Sequence, residues 1–98
     1  MRVDKACEAI DMGCCLELYY EGHSQVVEPH AVGVDLKGEP ALLAWEGHES
    51  GAEHPGGWLF VPLGEVREID VSGYFSDAPR PGFIRDDPRF ARIDRQVD

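Results

Sequence analysis

Basic residues are scarce at the start of this chain. Only Arg2, Lys5, Lys37 and Arg67 precede position 80, and the formal net charge is −10. Binding to duplex DNA relies on Lys and Arg displacing counterions from phosphates, and an anionic bilayer attracts the same residues. The composition therefore argues against autonomous duplex DNA binding and against a membrane partner. No apolar run approaches the length of a bilayer-spanning helix. Cysteine is limited to Cys7, Cys14 and Cys15. An odd count with two adjacent thiols does not make a disulfide framework, and it reads as reduced thiols in a cytoplasmic protein. Asp4, Glu8 and Asp11 exclude a secretory signal from the first residues. No Cys-x-x-Cys or His-x-x-x-His spacing occurs, and His23, His30, His48 and His54 are scattered. Four convergent metal ligands are therefore not expected, and no cofactor is implied. Cys14 and Cys15 lack a basic neighbour or a Gly-rich elbow, so the sequence suggests no activated nucleophile and no enzyme.

What is present fits one small β-rich domain over residues 1–98. Val3, Cys7 and Ile10 recur at helical spacing, with Ala6 beside them, which predicts a helix over 3–12 stopped by Gly13. "CCLELYY" alternates with period two and predicts a strand over 14–20. Further strands are expected at 26–34, 41–46, 58–63 and 66–74. Residues 75–98 read as an irregular tail, with one helical turn after Pro88 and a short strand beyond it. The segment "GHESGAEHPGG" reads as a loop.

"VVEPHAVGV" interrupts an apolar strand with Glu28, Pro29 and His30. Pro29 cannot donate to a ladder, so an edge or a bulge is expected there. Glu28 and His30, two residues apart, would share one face. They could offer an acceptor and a titratable group to a ligand, or they could satisfy each other and fix the register. Trp45 and Trp58 flank the long loop. They could form a stacking platform or simply fill a small core. The tail holds five arginines, Arg80, Arg85, Arg89, Arg92 and Arg95, against four aspartates, which leaves the remainder of the chain at −11. An anion clamp is one reading of Arg80 and Arg85. The other is a surface tie to acids, with Arg85 reaching Glu28 or Asp87.

The order of these pieces carries a family resemblance. A helix is followed by "LELYYEGHSQVVEPHAVGVDLKGEPALLAW", then "GWLFVPLGEVREIDV", then "RPGFIRDD". This series resembles a WYL domain, and more narrowly the short stand-alone WYL-like proteins of bacteria. The resemblance implies an SH3/Sm-like β-barrel with a ligand-sensing or regulatory role. Members of the family often sit beside DNA-binding domains and bind nucleotides or nucleic acid. Pro40-Ala41-Leu42 stands here where the family has Trp-Tyr-Leu. "FVPLGEV", Phe60 to Val66, replaces a strand that carries basic positions in larger members. No helix-turn-helix precedes the expected barrel.

The expectation is a mainly β protein, a small SH3/Sm-like antiparallel β-barrel with an N-terminal α-helix. Its role would be non-enzymatic, binding a small polar ligand or a nucleotide through Glu28, His30, Trp45, Trp58 and Arg85. Binding would order the His48–His54 loop. The alternative is a protein–protein module, a homodimer paired through a free edge at Val26–Val34.

Overall fold

A computed structural model describes residues 2–47 and 57–98. It contains helix α1 (Arg2–Met12) and strands β1 (Cys14–Tyr20), β2 (His23–Asp35), β3 (Pro40–Glu46), β4 (Gly57–Pro62), β5 (Glu68–Phe75) and β6 (Phe90–Gln96). A short 3-10 turn, Leu63–Glu65, joins β4 to β5. The helix buries Ala6 and Ala9 completely, with Val3, Cys7 and Ile10 packed around them. It ends at Gly13, whose φ of 67° closes the last turn onto the Ile10 carbonyl. Glu21 and Gly22 both take positive φ, as a two-residue hairpin between β1 and β2 requires.

The six strands form one antiparallel sheet in the order β4-β3-β2-β1-β5, with β6 added on β2. Strand β2 organises it. Residues 27–34 pair with β3. The opposite edge is shared: β1 takes residues 23–27 and β6 takes residues 31–35. Pro29 falls in the gap between those two ladders, where a missing N–H is tolerated. The register with β3 also shifts between Pro29 and Ala31, which makes His30 the extra residue of a bulge. The bulge changes which face each residue meets. Val27 and Val32 differ in parity, yet both pack in the core under α1, with Leu16, Leu18, Leu42, Val61, Leu63 and Val66. Ala31, Ala41, Leu43 and Phe90 pack in a second cluster with Trp58, Phe60, Phe83 and Ile93. Both faces of β2 are therefore apolar. Each fully buried Leu or Val contributes roughly 1.5–3 kcal/mol.

Several expectations change. The bulge at Pro29–His30 forms, but β2 is central, so Val26–Val34 offers no free edge. Strand β6 lies in the tail after Pro88, where a short strand was expected. The segment after Pro88 makes only a tight turn, closed by the Phe90 amide on the Asp87 carbonyl at 3.1 Å. Among the described residues no ladder joins β4 to β5, so the sheet is open where a closed barrel was expected. The His48–His54 loop lies outside the described residues.

Candidate functional site

The bulge turns the His30 ring into the interior, where it is fully buried. Both of its nitrogens are engaged. Nδ1 lies 2.9 Å from the Glu28 carbonyl oxygen. Nε2 accepts the backbone N–H of Arg80, also at 2.9 Å. An amide can only donate and a carbonyl can only accept, so the ring is neutral with its proton on Nδ1. Burial holds the His30 pKa below its ordinary value, against an opposing pull from Glu28.

The Glu28 carboxylate turns toward the same neighbour. It accepts Arg80 Nε at 2.6 Å and Arg80 Nη2 at 2.9 Å. This is a two-point guanidinium–carboxylate pair, the strong form of such contacts. Asp77 adds a second carboxylate at 3.3 Å. The Arg80 hydrogen bonds hold the Glu28 pKa below the usual carboxylate range, and Glu28 in turn raises that of Arg80. Two motifs far apart in sequence, Glu28-Pro29-His30 and Pro79-Arg80-Pro81-Gly82-Phe83, are thus clamped together.

Aromatic rings continue the clamp. His30 meets Trp58 edge-on with centroids 4.7 Å apart, and Phe83 at 5.3 Å. Trp58 in turn meets Trp45 edge-on at 5.2 Å. Gly82 lies under the Trp58 indole. A Cβ there would sit 3.2 Å from Trp58 Nε1, and the φ of 96° is one that side chains resist. The chain end closes over the top, where the Val97 amide donates to the His30 carbonyl oxygen at 2.9 Å. Arg85 Nη1 donates to the Val97 carbonyl at 2.6 Å.

The expected site residues are therefore gathered, but not in the expected roles. Glu28, His30, Trp45 and Trp58 form one continuous cluster, reached by ring contacts and shared hydrogen bonds. Arg85 stands beside it on the tail. Glu28 is paired by Arg80 rather than by Arg85, and Asp87 by Arg89 at 2.9 Å. Arg92 pairs with Asp94 and Arg95 with Asp11, whereas the bond Arg85 makes is to a backbone carbonyl. Sequence reasoning missed Asp77, Gly82 and Phe83. A usable signal was the Pro-Arg-Pro-Gly run, which stiffens the backbone around Arg80.

Two recesses border the clamp. One, of about 420 Å³, is lined by Pro79–Phe83, Arg85 and Asp98. The other, of about 430 Å³, lies between the end of α1 and the tail, with Arg95 and Asp11 on its rim. Cys14 and Cys15 are buried, and burial pushes the Cys15 pKa up to about 11. No group of three or more metal-ligating side chains occurs among the described residues. No helix among them is long and apolar enough to cross a membrane. Comparison with protein-family models, curated proteins and solved structures returned no match.

Proposed function

We propose that this chain is a non-enzymatic WYL-like module, an SH3/Sm-like curl of sheet that senses a small polar anion such as a nucleotide. The recess formed by Pro79–Phe83 and Arg85 would be the site. One observation carries this reading: in a body of strongly negative charge, Arg80 and Arg85 line a recess together with Phe83 and Asp98. Cations give an anion its partner, and Phe83 gives a base or other planar group a surface to rest on. The clamp beneath makes the recess rigid before any ligand arrives, which lowers the ordering cost of binding. The non-catalytic reading is supported by the chemistry already committed elsewhere. Both His30 nitrogens are engaged, Glu28 is paired, and the Cys15 thiol is not readily ionised. Trp45 and Trp58 act here as support for the recess wall.

The test is an amide-shift titration with nucleoside mono- and diphosphates and short oligonucleotides. Shifts confined to Arg80–Arg85 and the Trp58 indole, lost in Arg85→Ala, are the expected outcome. A panel that leaves those signals unmoved overturns the reading.

A homodimer is a second reading, moved from β2 to the outer edge of β5. Tyr74 and Phe75 at the end of that strand are 67% and 83% exposed. Light scattering across a concentration series separates the two: a dimer indifferent to every ligand favours this one.

A further inference from the structure

The clamp contains two acids' worth of competition for one set of donors, and its central ring has no spare acceptor. A neutral His30 accepts the Arg80 amide at Nε2. A second proton on the ring would set an N–H directly against that N–H. The contact would change from a hydrogen bond to a repulsion, while the Nδ1–H bond to the Glu28 carbonyl would survive. The new Nε2–H needs an acceptor. The Glu28 carboxylate is the candidate: its charge acts on the His30 ring, and its present partner Arg80 carries the backbone amide that Nε2 accepts.

We propose that the Pro79–Phe83 segment is a proton-operated latch. Protonation of His30 transfers the Glu28 carboxylate from Arg80 to the imidazolium and releases the segment from β2. Before the exchange Glu28 is paired with a guanidinium; after it Glu28 is paired with an imidazolium. No carboxylate is left without a partner in either state. The proton comes from water and stays on Nε2. The charged groups that act on the ring are Glu28 on β2 and Arg80 on the segment, and that pair is flanked by Asp77 on the segment and the Cys15 thiol on β1. Asp77 touches Arg80 at 3.3 Å. The aromatic neighbours Trp58 and Phe83 carry no charge but rest on the moving segment and on its anchor.

This also regulates the recess. Arg80 freed from Glu28 joins Arg85 in facing the recess, so anions would bind there more tightly as His30 takes its proton. That consequence rests on the proposed ligand reading, whereas the partner exchange does not.

The experiment is an NMR pH titration of the full chain without ligand. The imidazole nitrogens of His30 are followed with the backbone amides of Arg80 and Gly82, the Arg80 Nε–H and the Trp58 indole N–H. The expected result is one shared midpoint for all of these, with Leu18, Val32 and Val61 amides unmoved through it. In Glu28→Gln, which has no charge to pair with an imidazolium, the midpoint should fall by about one pH unit. Protonation of His30 without a response from Arg80 overturns the latch. So does a titration in which the whole set of core amides changes together, because the segment would then not move on its own. Nucleotide titrations at pH values above and below that midpoint test the ligand reading apart from it. Absence of any binding removes the ligand and leaves the latch standing.

Discussion

The backbone amide of Arg80 donates to the buried Nε2 of His30 at 2.9 Å across fifty positions of sequence. That single bond fixes the tautomer of the ring, the place of the Pro-Arg-Pro segment, and the side chain that reaches Glu28. Strand β2 is bulged at His30, so the ring points where the segment passes. Fold and candidate site are therefore one arrangement: the bulge makes the anchor, and the anchor makes the recess wall.

Stability should fall with acid in two stages. The His30 pKa is held below its ordinary value of 6.5, so the unfolded chain binds that proton first. Unfolding is favoured as pH drops below that value, and the loss stops once pH passes the folded value. The slope is at most about 1.4 kcal/mol per pH unit for one group. Glu28 and Asp87 are also lowered, from ordinary values of 4.5 and 3.8. Their contribution is complete above those values and declines as pH falls through them toward the folded ones. Urea unfolding at a series of pH values measures both stages. In His30→Gln the earlier decline should vanish and the later one remain.

The thiols should be slow to react in the native protein. Cys14 and Cys15 are buried, and burial raises the pKa of both Cys7 and Cys15. Treatment with a chromogenic disulfide at neutral pH should modify Cys14 and Cys15 only after denaturant is added. Cys7, which is partly exposed, should be the first modified under native conditions. Mass spectrometry of digests identifies the order, and prompt native labelling of Cys15 contradicts this assignment.

Gly33 should not accept a side chain. A Cβ there would collide with the backbone carbonyl of Arg92 on β6. Gly33→Ala must push β6 away from β2, at a cost of about 1–3 kcal/mol. Hydrogen exchange should show lost protection at Phe90–Gln96 while β1 and β3 keep theirs. Unchanged exchange in β6 contradicts the close approach.

Much of this was legible in the sequence. The helix stop at Gly13 and the β1 limits follow from periodicity and turn chemistry, because both elements have one apolar face. Strand β2 was legible as a strand but not as the centre of the sheet. Pro29 reads as an edge signal, and only the tertiary arrangement places it in the gap between β1 and β6. Strand β6, "FARIDRQ", was legible only as a short strand beyond Pro88, because its apolar positions are few and its arginines pair with acids. At the site, Glu28 and His30 were found from an odd triplet within an apolar run. Their partner was not, since nothing local distinguishes Arg80 from Arg85 as the cation that crosses to β2. The choice is made by the Nε2–amide bond, which fixes Arg80 beside Glu28.

The clamp between Glu28 and Arg80 is the claim on which the rest depends, and a double-mutant cycle tests it most directly. Glu28→Gln, Arg80→Gln and the double variant are compared with the parent by urea unfolding near neutral pH. The pair is largely shielded, with side chains 12% and 33% exposed, and it is joined at two points. A coupling of about 1–2 kcal/mol is expected, together with faster amide exchange at Gly82 in each single variant. Effects that add to within about 0.3 kcal/mol, with Gly82 exchange unchanged, would contradict the account.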